Sequence, residues 1–284
     1  MRRIVICDSG LGGLNIAARY LNEKAEHAVP CGIVYFNAYP SQETGFNKLP
    51  SLRAQEEVLR NVLEGMRRFE PERCLIACNT LSIVHERLRA WYSAPFPVHG
   101  IIDAAVDGMA LALLNDAESS VLILGTKSTV ESGVYAARLA RQVSAARIRS
   151  LACPGLATLL ESNPAAPEVR SRIADYARQS FQLWDTLPKR LFLALCCTHF
   201  AYALPFWAEE FQRVFGKGIG IVNPNELMAA GMRAESFSYH SRIDFFPGAR
   251  ESISGYFRES APAISEALLA AEPESDLFVF EEAK

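Results

Sequence analysis

Cys78 and Cys197 each stand where a short apolar run gives way to small hydrogen-bonding residues, in Ala77-Cys78-Asn79-Thr80 and in Cys196-Cys197-Thr198-His199. Asn and Thr in such places favour turns and helix N-caps. A thiol beside a helix N-terminus has a lowered pKa, because unpaired backbone N–H groups and the helix dipole stabilise thiolate. The same N–H groups hold a carboxylate, so each loop has the means to tune a thiol and to bind an anionic substrate. Inverting a carbon centre by proton transfer needs a base on one face and an acid on the other, with the roles exchanged in the reverse direction. One thiolate and one thiol meet that need symmetrically, and their titrations are then coupled.

Other chemistries fit the same residues less well. Asp8-Ser9-Gly10-Leu11-Gly12-Gly13 follows an apolar run, but the sixth position of a dinucleotide fingerprint begun at Gly10 is Asn15, and no Walker lysine follows. Cys196, Cys197 and His199 are metal-ligating types, yet adjacent cysteines rarely share one ion and no second close ligand pair exists, so no metal is expected. A Cys/His nucleophile built from Cys197 and His199 stays open on the residues alone, although it leaves Cys78 without a part. Cys7, Cys31, Cys74, Cys153 and Cys196 lie within or beside apolar sequence and read as buried small hydrophobes.

The elements that must position the two thiols are legible as an alternation. Arg3–Cys7, Gly32–Phe36, Cys74–Ala77, Val98–Ile102, Val121–Leu124, Leu191–Leu195 and Ile219–Val222 are near-continuous apolar runs, the pattern of strands buried on both faces. Between them, Leu52–Phe69 and Glu168–Trp184 have apolar residues at helical spacing. This is α/β patterning, in which ligands sit beyond the carboxyl ends of parallel strands. The strand ends also echo one another: Cys78 comes 70 residues after Asp8, and Cys197 comes 71 residues after Thr126. Two similar lobes are therefore expected, each a mostly parallel sheet flanked by helices, with the active site in the cleft between them. The boundaries are placed at 1–96 with 206–284 for the first lobe and 97–205 for the second.

Composition limits the partners. Of 284 residues, 50% are hydrophobic and 21% charged, which excludes a disordered polymer. With 29 basic against 32 acidic residues and no basic tract, the chain lacks the footprint of a nucleic-acid binder. Arg2-Arg3 precedes only four apolar residues before Asp8, so no secretory h-region is read, and the odd set of seven cysteines suits a reducing compartment. The weakly polar stretch 191–207 holds Thr198, His199 and Pro205 and falls short of the ~18 to 20 apolar residues of a membrane span. A cytoplasmic protein with no membrane segment is expected.

Taken in order, Asp8-Ser9-Gly10-Leu11-Gly12-Gly13-Leu14, Ala77-Cys78-Asn79-Thr80-Leu81-Ser82, Gly125-Thr126 with Ser132-Gly133-Val134-Tyr135, Ala152-Cys153-Pro154 and Cys197-Thr198-His199-Phe200 resemble the signatures of the glutamate racemase family, in the aspartate/glutamate racemase superfamily. The resemblance covers almost the whole chain. It implies a cofactor-independent enzyme with two α/β lobes, acting on a small amino acid and forming a homodimer. Cys78 and Cys197 match the two acid/base catalysts, and Asp8 and His199 match the groups that assist them. Glu161, seven residues beyond the Cys-Pro dipeptide, matches a further assisting glutamate. Read alone, Asp8 is an N-cap and Glu161 a solvated helix charge. Ser9, Asn79, Thr80, Thr126 and Thr198 match positions that hold the substrate's amino and carboxylate groups.

Two departures stand out. Where the family carries Pro-Tyr-Gly closing over the substrate, this chain has Glu43-Thr44-Gly45, and where the family has Glu-Pro-Gly it has Asp103-Ala104-Ala105 after Ile102. Thr44 and Gly45 thus become the expected contacts of the closing segment. Altered closing residues change substrate contacts more readily than the proton chemistry. Glutamate leads as substrate, its D-enantiomer serving peptidoglycan in a bacterial host. Aspartate or hydantoin racemisation, a related isomerisation, and a catalytically weak ligand-binding homologue are the alternatives.

Overall fold

The computed structural model describes residues 2–24, 27–216, 218–229 and 231–281. The chain divides into two compact units, Met1–Ile101 with Met228–Lys284, and Ile102–Leu227. It begins with β1 (Arg3–Asp8), α1 (Leu14–Asn22), β2 (Val29–Asn37), α2 (Leu52–Gly65), β3 (Arg73–Ile76), α3 (Asn79–Leu88) and β4 (Val98–Gly100). Then follow α4 (Ile101–Leu114), β5 (Ser119–Gly125), α5 (Lys127–Glu131), α6 (Val134–Leu139), β6 (Ile148–Ala152), α7 (Leu156–Ser162) and α8 (Pro167–Phe181). After β7 (Arg190–Cys196), α9 (Leu204–Phe215), β8 (Ile219–Val222) and α10 (Pro224–Met228), the chain returns to the first unit for β9 (Met232–Ser241), α11 (Pro247–Phe257) and α12 (Pro262–Ala270).

In the first unit five strands pair in parallel in the order β4-β3-β1-β2-β9. A parallel sheet has to be covered on both faces, which is why β1 reads Ile4-Val5-Ile6-Cys7 with each of these side chains wholly buried. One face packs Val5, Cys7, Phe36, Cys74 and Ile76 against Leu59, Leu63 and Leu81 of the helices and against Phe278 near the end of the chain. Cys7 and Cys74 are therefore core residues. In the second unit four parallel strands run β6-β5-β7-β8.

The two orders share a plan. In each, the first strand (β1, β5) has the second (β2, β6) on one side and the third (β3, β7) on the other, with a fourth (β4, β8) beyond the third. The sheet reverses direction of winding between its first and third strands, and such a switch point opens a crevice at the carboxyl ends. Cys78 follows β3 and Cys197 follows β7, so each cysteine stands at the switch point of its own unit.

The unit boundaries differ from those expected at 96/97 and 205/206. β4 pairs with β3, Cys74 opposite Val98, which keeps 97–101 in the first unit, and the helix starts at Ile101, where a strand had been expected to run to Ile102. β8 pairs with β7, Leu191 opposite Ile219, which holds 206–227 in the second unit. Hydrogen bonding along an edge strand outweighs sequence distance in both cases. Among the described residues no helix is long and apolar enough to cross a membrane, and all seven cysteines are free thiols.

Candidate active site

In the first unit the candidate residues gather at the ends of β1 and β3. Asp8 closes β1 and is buried, its carbonyl accepting the Ala38 N–H at 2.7 Å. The turn that follows is held by Tyr35 on β2, whose hydroxyl donates to the Gly10 carbonyl at 2.8 Å. Gly13 heads α1 at a close approach: a Cβ there would lie 2.9 Å from Asp8 Oδ2 and 3.0 Å from Ala77 Cβ. Glycine is what lets the helix start directly over the carboxylate.

Cys78 is the N-cap of α3, and its Sγ accepts the Leu81 N–H at 3.5 Å. Ser9 Oγ lies 3.1 Å from the same sulfur, bringing the β1 loop onto the thiol. A capping sulfur faces the positive end of a ten-residue helix, the environment that favours thiolate. Asn79 and Thr80 form the first turn of α3, both buried. Beneath them Ser82 Oγ donates to the Ile76 carbonyl at 3.0 Å and accepts the Ile101 N–H at 3.2 Å, tying the end of β3 to the end of β4. Thr44 and Gly45 lie in the loop after β2. There the Thr44 N–H donates to Ser41 Oγ at 3.1 Å, and Gly45 sits so close to Tyr39 that a Cβ would be 2.7 Å from the phenol oxygen.

In the second unit the candidate residues gather at the ends of β5, β6 and β7. Thr126 caps α5, its Oγ1 accepting the Thr129 N–H at 3.3 Å. Side chains alternate along a strand, so the adjacent Cys196 and Cys197 do different things. Cys196 is fully buried, and burial pushes its thiol far up, whereas Cys197 heads the tight turn Thr198–Ala203 with extended backbone. Cys197 was expected to gain from a helix N-terminus as Cys78 does. Its side chain makes no capping bond, because a short 3₁₀ turn intervenes before α9.

A relay replaces the cap. Cys197 Sγ is 3.8 Å from His199 Nδ1, and His199 Nε2 is 3.0 Å from Glu161 Oε1 at the end of α7. Burial by itself would push the imidazole down. The Glu161 carboxylate, and then the Cys197 sulfur, outweigh burial and hold His199 well above its ordinary value of 6.5. Thr198 is buried in the same turn, and Cys153 lies close enough that the charge of Cys197 adds to the burial keeping Cys153 protonated.

Each unit thus presents one thiol among polar partners. Ser9 and the first turn of α3 lie about Cys78, with Asp8 at the end of β1; His199 lies beside Cys197, with Glu161 beyond it. Among the described residues no cluster of three or more His, Cys, Asp or Glu is placed to hold a metal. Of the two residues that fix the backbone around Cys78, Tyr35 carries no motif, an isolated Tyr in an apolar run being the only available signal, and Ser82 ends the Ala77–Ser82 signature without a role having been read for it.

The sequence profile described as Asp/Glu/Hydantoin racemase matches residues 38–229. The glutamate racemase of Syntrophus aciditrophicus is 31% identical over 228 residues, covering 80% of this chain and 77% of that protein. That of Campylobacter jejuni is 27% identical, covering 79% and 82%. The crystal structure of the Campylobacter jejuni glutamate racemase superposes with a TM-score of 0.65 at 21% identity, covering 95% of this chain and 99% of that one. The Francisella tularensis glutamate racemase, solved in complex with D-glutamate, superposes with a TM-score of 0.64 at 18% identity, covering 96% and 95%. At these identities the superpositions speak for the fold.

Proposed function

This chain belongs to the Asp/Glu/Hydantoin racemase family of isomerases, and we propose that its reaction is the interconversion of L- and D-glutamate by proton transfer between two thiols. The observation that carries the reading is the duplicated placement of Cys78 and Cys197, each beyond the third strand of its unit and each beside its own polar partners.

In the L-to-D or D-to-L direction, one cysteine as thiolate takes the α-proton, and the electron pair left on the α-carbon is quenched by the proton of the other cysteine from the opposite face. One thiol is gained and one lost, so the pair is reset by the reverse turnover or by proton exchange with solvent. Asp8 and Ser9 manage the proton on Cys78; His199, held protonated by Glu161, stabilises the Cys197 thiolate and returns its proton. Backbone N–H groups at the start of α3 favour the substrate carboxylate, with Ser9, Asn79, Thr80, Thr126 and Thr198 holding its polar ends. Thr44 and Gly45 contact its side chain. No cofactor is called for, because the thiols carry the proton in both directions. A cytosolic homodimer supplying D-glutamate for peptidoglycan completes the reading.

One observation favours a second substrate. Thr44 stands where the resemblance places a tyrosine, so a different acyl chain, aspartate first, is the competing choice. Proton NMR of L-glutamate, D-glutamate and L-aspartate with the enzyme in D2O decides between them. Loss of the glutamate α-proton signal from both enantiomers, abolished for one of them in Cys78→Ser and for the other in Cys197→Ser, is the expected result. Faster washout from aspartate moves the substrate, and ligand binding without any washout makes the protein a binding homologue.

A further inference from the structure

We propose that Asn225 is a positioning residue for the Cys197 half of the site, setting the thiol and the imidazole through the Thr198–His199 peptide, the second of the two that join them. This rests on the reading that Cys197 and His199 transfer protons.

The residue reaches the site from β8, the strand beside β7. Where β8 ends, Asn223 Oδ1 accepts the Asn225 N–H at 3.2 Å and the Asn223 carbonyl accepts the Glu226 N–H at 3.1 Å, a side-chain-closed turn that opens α10. The turn directs the Asn225 side chain back into the unit, where it is 2% exposed. There its Nδ2 donates to the carbonyl of Thr198 at 3.0 Å. The Thr198 carbonyl belongs to the peptide joining Thr198 to His199, one residue beyond Cys197. Rotating it changes the backbone direction entering His199 and, through Thr198, the direction leaving Cys197. Neighbouring carbonyls are already held: the Cys197 carbonyl accepts the Phe200 N–H at 3.0 Å, and the Phe200 carbonyl accepts the Trp207 indole N–H at 3.1 Å. Asn225 supplies the remaining hold, at the position between the two reactive side chains.

Its other end marks the role. Asn225 Oδ1 is buried and finds no hydrogen-bond partner among the described residues. A buried acceptor left unsatisfied opposes folding by at least as much as one neutral hydrogen bond assists it, so the amide is a poor choice for stability at this place. A leucine of similar shape would avoid the penalty. What leucine lacks is the donor for Thr198.

The test separates geometry from stability and from the functional reading. Asn225→Leu removes donor and orphaned acceptor together, and Asn225→Asp keeps the shape but presents no donor. In each variant the urea midpoint, the pH dependence of iodoacetamide alkylation at Cys197 and Cys78 by mass-spectrometric mapping, and glutamate α-proton exchange are measured. The expected result for Asn225→Leu is a urea midpoint little changed, because losing the orphaned acceptor offsets taking this donor from the Thr198 carbonyl, together with a shifted Cys197 alkylation profile with Cys78 unaltered, and kcat lowered at least tenfold with KM within about threefold. A folded variant whose Cys197 profile and exchange rate match the wild type overturns the proposal, as does loss of folding in both variants, which makes Asn225 a structural residue. Wild-type protein that exchanges no amino-acid α-proton overturns the racemase reading instead, and the alkylation profiles still report whether Asn225 governs Cys197.

Discussion

His199 Nε2 lies 3.0 Å from Glu161 Oε1, with the two side chains only 11% and 13% exposed. Burial pushes the imidazole down, and the Glu161 carboxylate, ahead of the Cys197 sulfur, is the largest influence holding it up, so Glu161→Gln lowers the His199 pKa. The imidazolium is then lost at a lower pH, and the alkaline limb of kcat moves to lower pH. The drop in kcat at pH 8 is at least about tenfold, less than the ~10²- to 10⁴-fold contribution of a proton carrier itself. A pH–rate profile of the two proteins checks this.

Stability follows the same linkage with a definite sign. A histidine whose folded pKa lies above its unfolded one stabilises the fold fully below the unfolded value, and that contribution disappears as pH rises through the folded value. For His199 the unfolded value is near 6.5 and the folded value well above it. The wild-type urea midpoint therefore declines on going from pH 6.5 into the alkaline range by more than that of Glu161→Gln. Equal pH dependence in the two proteins would show that the pair is not coupled to folding.

The seven thiols differ in their surroundings. Burial pushes Cys7, Cys74, Cys153 and Cys196 well up, and Cys31 up by less, which keeps them as protonated, inert core groups. Cys78 and Cys197 have polar partners at 3.1 and 3.8 Å instead. Iodoacetamide at pH 7.5 is expected to modify Cys78 and Cys197 at least about tenfold faster than the other five, and D-glutamate to protect both. Peptide mapping over a time course reads the order directly.

How much of this was legible in the chain depends on whether a role lies in a run of residues or in an encounter between distant ones. Cys78 and Cys197 declare themselves because apolar runs end beside them, and the alternation rule separates Cys197 from Cys196. The His199–Glu161 pair needed the motif, since 38 residues separate its members. Asn225 was silent, and Ser82 stood in the Ala77–Ser82 signature without a role: each is one polar residue whose partner, Thr198 or Ile101, is named only by the packing of neighbouring strands. The boundary between the units failed for a similar reason. Ile219–Val222 is a short apolar run that either sheet could have taken, and only pairing with β7 decides. β9 went unread because Met232–Ser241 is an edge strand with a mixed pattern, buried at Ala234 and Tyr239 but exposed at Glu235 and Ser236.

Gly13 gives a test of how tightly the ends of β1 and β3 are packed. A methyl group there meets Asp8 Oδ2 at 2.9 Å, Ala77 Cβ at 3.0 Å and Asp8 Cβ at 3.1 Å, and the two Cβ atoms are fixed to their strands and cannot turn aside. Gly13→Ala must push α1 away from the ends of β1 and β3, costing about 1–3 kcal/mol as overpacking does. The displaced atoms are the carboxylate beside the Ser9 turn and the residue before Cys78. Activity therefore falls further than stability alone explains: exchange drops at least about tenfold at temperatures where the variant is fully folded. Circular dichroism melts alongside NMR exchange rates check the two effects separately.

The duplicated thiols lead to a last and more specific expectation about handedness. If Cys78 and Cys197 approach the α-carbon from opposite faces, each can remove the proton of one enantiomer only. Replacing a thiol by a hydroxyl, whose proton is far harder to remove, disables that face as a base while leaving the other thiol in place. Cys78→Ser is then expected to wash the α-proton from one enantiomer of glutamate in D2O while leaving the other unexchanged, and Cys197→Ser to show the opposite preference. Inversion is lost in both by about 10²-fold or more, because the returning proton must come from a poor acid. Separate samples of L- and D-glutamate, followed by proton NMR and by chiral chromatography, distinguish exchange from inversion. Washout of both enantiomers by one single-cysteine variant would mean that a single base serves both faces.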